Sequence, residues 1–155
     1  MQYIDYSACG DQAGVESELR RLVAENFLSN EQGRMVRAEK IAAFFASELG
    51  QKLRTGKVVR EFKFSILEDG TSYDPALTGE QVLLQGVVDF ALIEDDGITV
   101  LDFKTDFVTA ETIDAVAGRY QSQVAAYARA MERIYELPVK KKVLYFFHTG
   151  QFVEV

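Results

Sequence analysis

Two acids in apolar runs, Asp89 and Asp102, and a lysine two residues after the second, Lys104, are the strongest reactive candidates in this chain. In a β-strand alternate side chains share a face, so Val100, Asp102 and Lys104 point one way while Leu101 and Phe103 point the other. A carboxylate and an ammonium would then stand side by side. Asp89 lies between Val88 and Phe90 in a second apolar run, where an ionised group is costly unless it is paired or binds a metal. A divalent cation held between Asp89 and Asp102 would answer that cost. Hard cations such as Mg²⁺ take oxygen ligands, usually one or two carboxylates plus waters and substrate phosphate oxygens. Asp89, Asp102 and the main-chain carbonyl of Phe103 could supply them. Lys104, on the face of Asp102, could orient an attacking water or balance charge growing on a phosphate. The chemistry this suits is phosphodiester hydrolysis. The plain alternative is a solvated Asp-x-Lys ion pair on a strand surface.

These residues need strands to hold them. Val82 to Ile93 and Ile98 to Phe103 flank Glu94-Asp95-Asp96-Gly97, which predicts a β-hairpin turning at Asp-Gly. Lys57 to Leu67 alternates like a strand and carries Glu61, which is either a third acidic group facing the cation or a surface Glu paired with Arg60 or Lys63. Arg119 to Leu137 predicts a strong helix closed by Pro138, with Tyr120, Gln123, Val124, Tyr127, Ala128, Met131 and Tyr135 on one side. Gln123 and Tyr127, four apart, share a face and could reach the strand end holding Asp102 and Lys104; the alternative is a buried tyrosine with its hydroxyl satisfied.

Earlier in the chain, Val15 to Leu28 has apolar residues at helical spacing and Ser29-Asn30 ends the run. A second helix is expected over Val36 to Leu53, with Arg34, Arg37, Lys40, Lys52 and Arg54 as a solvated face or a source of phosphate contacts. Glu68 to Glu80 is a polar loop, and Thr105 to Gly118 mixes loop and short helix. Lys140 to Phe147 is a last strand that Thr149-Gly150 turns into a short partner, Gln151 to Val155. The only histidine, His148, sits at that turn and is given no metal role. A mixed β-sheet with flanking helices follows, an α/β class.

Composition bounds the rest. The chain has 155 residues, 48% of them hydrophobic, enough for one globular core. A single cysteine, Cys9, excludes internal disulfides and thiolate metal clusters and fits a reducing, cytoplasmic setting. The opening MQYIDYSACGD has neither the basic flank nor the apolar core of a signal peptide, and no apolar run is long enough to span a membrane. A net charge of −7 argues against a broad electrostatic grip on nucleic acid, whose non-specific affinity comes from phosphate neutralisation by Lys and Arg. Gly50 to Lys57 (GQKLRTGK) has the wrong spacing for a phosphate-binding loop, and neither GxGxxG nor HExxH occurs.

With Glu61, Asp89, Asp102-x-Lys104 and the Gln123/Tyr127 helix placed on an αβββαβ order, the chain resembles the PD-(D/E)xK nuclease superfamily and its restriction-endonuclease-like core. More narrowly, it is similar to the RecB-type nuclease domains that close the AddA family of ATP-dependent helicase/nuclease subunits of bacterial double-strand break repair. The likeness runs from about Val15 to Val155. It is densest at REFKF (Arg60 to Phe64), GVVDF (Gly86 to Phe90), VLDFKTD (Val100 to Asp106), YQSQVAAYA (Tyr120 to Ala128) and YFFHTGQFVEV (Tyr145 to Val155). The resemblance implies Mg²⁺-dependent, exonuclease-type cutting of DNA, with Mn²⁺ as a substitute. It makes Asp89, Asp102 and the Phe103 carbonyl the metal ligands and Lys104 the residue assisting the water. Gln123 and Tyr127 match the QxxxY motif, positioning the DNA strand or the surroundings of Lys104. Glu61 matches the acidic residue of the preceding strand, acting through a water or from behind the ligands.

The implied partners are DNA single strands, the helicase region of the same longer chain that would deliver them, and a partner subunit of AddB type. Delivery by a motor would also accommodate the acidic charge. One departure matters: family members carry an upstream helix with a metal-binding histidine, and nothing before Val15 supplies it. The expectation is a fragment of a larger protein, with residues 1–14 a loosely ordered lead and 15–155 a single nuclease domain. Two other readings stay open: a metal-depleted interaction module that keeps the fold, and a stand-alone RecB-family nuclease.

Overall fold

The computed structural model describes all 155 residues. Four helices come first: α1 (Gln12–Ala24), α2 (Asn30–Met35), α3 (Ala38–Ala46) and α4 (Glu48–Thr55). The strands β1 (Lys57–Asp69), β2 (Gln81–Glu94) and β3 (Gly97–Lys104) follow, then helix α5 (Ile113–Tyr135) and the strands β4 (Val139–Phe146) and β5 (Gln151–Glu154). The strands form one sheet in sequence order, antiparallel throughout except that β3 and β4 run parallel. Parallel neighbours need a crossover, and α5 is that crossover. The sheet is therefore mixed and flanked by helices, the class expected from the sequence.

One core lies under α5, where Val88, Ala91, Ile98, Val100 and Leu144 meet Val124, Tyr127, Ala130 and Met131. The other lies on the far face under the first helices, where Phe90, Leu92, Leu101 and Tyr145 meet Val15, Leu22, Ile41, Phe44 and Phe45. Phe103 extends this second core. Its ring is edge-on to Phe90 at 4.8 Å and to Phe44 at 5.0 Å, and it stacks on Phe147 at 5.2 Å. Offset and edge-on aromatic contacts of this kind each add to the area buried. They clamp β3 at the residue between Asp102 and Lys104, whose side chains must then face α5.

The helical region is more broken than its periodicity suggests. Ser29, expected to end α1, instead opens α2 through a capping box with Gln32; α1 ends at Ala24, just before Asn26 takes φ 62°. The expected helix over Val36 to Leu53 divides at Ser47, which is extended, donates its hydroxyl to the Phe44 carbonyl at 2.6 Å and accepts the Gly50 N–H at 3.0 Å. A Cβ on Gly50 would come within 2.1 Å of the Phe44 carbonyl oxygen, so only glycine lets α4 pack across the end of α3. Helix α5 starts six residues earlier than expected. Gly118 weakens a helix interior, but burial of Ile113 and Ala117 outweighs the roughly 1 kcal/mol involved.

Residues 1–14 are not a loose lead. Ile4, Tyr6 and Cys9 are buried, and Tyr6 packs on Phe45 and Phe90 at 4.9 and 5.7 Å. Arg60 lies over the Tyr6 ring and donates to the Ile4 carbonyl at 2.8 Å, while the Asp5 N–H donates to buried Glu18 at 2.9 Å. Without helical or strand periodicity these residues read as polar coil. Their apolar side chains nevertheless complete the second core, and burial pushes the Cys9 thiol pKa up to about 11. Ile4→Ala should cost about 2–4 kcal/mol in urea unfolding, as for other buried aliphatic truncations. A change near zero would restore the loose lead.

Candidate active site

Strand β2 reverses its faces at Asp89. Leu84 and Val88 pack under α5, whereas Phe90 and Leu92 pack under the first helices and Ala91 and Ile93 take over the α5 side. Strict alternation would keep Val88 and Phe90 on one face. Strand β1 turns at the matching point, from Val58 on the far face to Phe62, Phe64 and Ile66 under α5. The β1–β2 ladder pairs Arg60 with Phe90 and Phe62 with Val88 but has no bridge at Glu61, whose φ is 49°. For a non-glycine residue this left-handed conformation costs free energy and is held by its surroundings.

The β2–β3 ladder begins at the same place. Phe90 pairs with Leu101, and the residues before Phe90 pair with β1 alone. Asp89 and Asp102 are the next positions outward in that register, so the two acids stand where β2 parts from β3. The Asp89 pKa is pushed up to about 7, first by burial and then by the neighbouring Asp102 carboxyl and its charge, while the Phe103 main chain acts the other way.

Asp102 is 2% exposed. Its Oδ2 lies 2.5 Å from Lys104 Nζ, yet the angles there are poor and that buried oxygen has no hydrogen bond. We treat the contact as an ion pair whose acceptor lone pairs remain free. Lys104 is 9% exposed, a rare position for a lysine without partners. Its ammonium donates to Gln123 Oε1 at 3.2 Å and sits 3.6 Å from the centre of the Tyr120 ring. Gln123 in turn donates from Nε2 to the Tyr127 hydroxyl at 2.7 Å. The two alternatives for Gln123 and Tyr127 thus merge: the tyrosine is buried and satisfied, and through Gln123 it orients the lysine.

Tyr120 was legible only as part of an apolar stripe. It precedes Gln123 by three residues and Tyr127 by seven, the spacing of one helix face, and its hydroxyl donates to Asp106 at 3.0 and 3.1 Å. That spacing, with Asp106 two residues after Lys104, is the signal that identifies it as part of the site.

Glu61 follows neither expected course. It is exposed and has no ion pair with Arg60 or Lys63, and no three His, Cys, Asp or Glu side chains converge closely enough to hold a metal. Its charge nonetheless helps to raise the Asp89 pKa and is felt by the amino group of Met1. Lys40 makes no free basic face, since its ammonium donates to the carbonyls of Phe147 and His148 at 2.8 and 2.6 Å. At the opposite end of β3 a groove of about 700 Å³ is lined by Lys52, Glu94, Asp96 and Lys140, whose charges are already paired as Lys52–Glu94 and Lys140–Asp96.

The donor set at the strand fork is therefore two neighbouring carboxylates, one buried oxygen without a hydrogen bond, and a fixed ammonium. Such oxygens suit a hard divalent cation and would lose their mutual repulsion to it. The ammonium beside them suits an anionic substrate such as a phosphate.

Comparison with known proteins agrees with this chemistry. A family model described as PD-(D/E)XK nuclease superfamily matches residues 4–154. Curated relatives, each the A subunit of an ATP-dependent helicase/nuclease, are 40% identical over 97% of the chain in Pelotomaculum thermopropionicum, 37% over 100% in Desulforamulus reducens and 32% over 100% in Bacillus cereus. The chain spans only 12–13% of the length of these relatives. The paired acids, the buried lysine and the matched span agree on one assignment: this chain belongs to the PD-(D/E)XK nuclease superfamily.

Proposed function

We propose that the chain is a DNA-cutting domain that hydrolyses phosphodiesters with Mg²⁺, or Mn²⁺ in its place, within a longer ATP-dependent helicase/nuclease protein of the AddA type acting in double-strand break repair. The observation that carries this reading is the strand register, which sets Asp89 opposite Asp102 one step beyond the Phe90–Leu101 pair, with the Lys104 ammonium 2.5 Å from Asp102 Oδ2. Asp89, Asp102 and the Phe103 carbonyl would hold the cation. When bound, it would polarise the scissile phosphate and acidify a water.

The remaining work falls to the side chains. Lys104 holds a positive charge where the phosphate gains negative charge and offers a donor to the attacking water. Gln123 fixes the direction of the ammonium, Tyr127 fixes Gln123, and the Tyr120 ring covers one side of it. Glu61 acts on the site through its charge on Asp89 or through a water. The substrate would be a single strand of DNA fed by the helicase region of the longer chain together with a partner of AddB type, in the cytoplasm. Delivery by a motor suits a domain of net charge −7.

A docking module that merely kept the fold would have no use for a lysine and two acids in apolar surroundings, where each charge opposes folding.

Two results test the reading. In the complete helicase/nuclease complex, Asp102→Ala should lower cutting by about a hundred-fold or more while ATP-driven unwinding continues; undiminished cutting refutes the assignment. The second concerns stability. Asp89 keeps its proton to about pH 7 when folded, against an ordinary value of 3.8, so folding takes up a proton between these limits. Metal-free stability should fall as pH rises through that window. Asp89→Asn should raise the metal-free melting temperature at pH 8 and change it little at pH 4. Mg²⁺ or Mn²⁺ should raise the melting temperature of the unaltered chain above pH 7 and have no such effect on Asp89→Asn.

A further inference from the structure

Phe107 is 77% exposed, more than any other large hydrophobic residue of the chain. It is not a loose side chain. Before it, Asp106 accepts the Tyr120 hydroxyl at 3.0 and 3.1 Å; after it, Val108 is buried in the core under α5. The backbone is thus pinned on both sides of a ring held out in water. Its one aromatic neighbour is His148, at 4.2 Å between ring centres and 44° between planes.

His148 is equally well fixed. Lys40 binds the carbonyls of Phe147 and His148, Gly150 N–H closes the turn on the Phe146 carbonyl at 2.8 Å, and the Phe147 N–H donates to the Lys104 carbonyl at 3.0 Å. Phe107 follows Lys104 by three residues, a reach of at most about 11 Å. Two exposed flat rings therefore stand on a rigid support beside the lysine of the proposed site.

We propose that Phe107 and His148 form a stacking platform for a base of the single strand whose phosphate reaches Lys104. The inference rests on the nuclease reading and adds to it the element that holds the substrate. An acidic chain gains little from phosphate neutralisation: Lys40, near the platform, is occupied by main-chain carbonyls, and Lys104 offers the phosphate a single ammonium. Stacking needs no charge. Every base has a flat face, so the grip tolerates any sequence, as a domain fed by a motor requires. An unpaired base is also what an exposed ring face selects, since bases in a duplex are already stacked on each other.

The test is equilibrium binding in chelator, where nothing is cut, of a short single-stranded oligonucleotide and of an abasic strand of equal length and charge. The unaltered chain should prefer the strand with bases by about 5- to 150-fold, the range for one stacked base. Phe107→Ala and Phe107→Leu should lose that preference, Phe107→Trp should keep it, and His148→Ala should reduce it. Because Phe107 is exposed, all its variants should melt with the unaltered chain. The proposal is overturned by equal binding of the two strands to the unaltered chain, or by a preference that survives in Phe107→Ala. If Phe107→Leu keeps the preference, the ring acts as a mere apolar surface and the platform is again overturned. Cutting that depends on Asp102 alongside an indifferent Phe107 removes the platform alone; cutting that survives Asp102→Ala removes the nuclease reading, and a Phe107-dependent base preference would stand without it.

Discussion

Two neighbouring carboxyls at a fork in the sheet set the terms for everything around them. Asp89 and Asp102 occupy the next step of the β2–β3 register, but β2 turns its faces there and leaves for β1. The turn is made by Glu61 in a left-handed conformation on one strand and by the change of side at Asp89 on the other. Had β2 continued flat, the acids would be one more buried cross-strand pair, and like charges directly opposite one another are destabilising. The fork opens one side of that pair and keeps the other dry. A cluster that raises a carboxyl to about pH 7 opposes folding on its own, and such arrangements persist where they serve a site.

The rest of the molecule holds the fork in place. Phe103 is wedged among Phe44, Phe90 and Phe147, so the residues on either side of it have no freedom to rotate away from α5. Tyr6 presses on Phe90 from the far face, and Arg60, beside Glu61, is tied to Tyr6 and Ile4. The opening residues thus support the turn at Glu61 from behind. On the near face α5 carries Tyr120, Gln123 and Tyr127 at one-turn intervals, and these surround Lys104.

Much of this was legible in the sequence, because period and chemistry agree there. The hairpin turn at Asp96-Gly97, the face shared by Asp102 and Lys104, and the pairing of Gln123 with Tyr127 follow from strand and helix periodicity applied to polar residues in apolar runs. What strict periodicity hides is any place where the period breaks. The reversal at Asp89 leaves no mark in hydrophobicity, since β2 stays apolar around it while changing sides, and in β1 the polar pair Arg60-Glu61 reads as ordinary surface residues. Ser47 and Ser29 show the opposite case: each carries a local capping signature, but the apolar spacing across it suggests continuity or an end. The lead was illegible for a third reason. Ile4, Tyr6 and Cys9 have no period at all and are fixed only by partners far along the chain.

The interaction between fold and charge also bears on which kind of protein could keep this chain stable. Lys104 and Asp102 form a buried pair, and such pairs commonly stabilise no more than apolar residues of the same size. A sheet selected for stability alone would replace them, and Asp89 with them, by valine or leucine without loss. Their burden is accepted together with Gln123 and Tyr127, whose polar atoms are chained to the same lysine, and with Tyr120, whose ring faces it. An oriented ammonium whose neighbouring carboxylate still has a free lone pair is poorly explained as a structural tie, because a tie would use that lone pair. It fits instead the charged cluster of a nuclease-superfamily site, where a buried carboxylate with an oxygen to spare and an ammonium held in direction are of use.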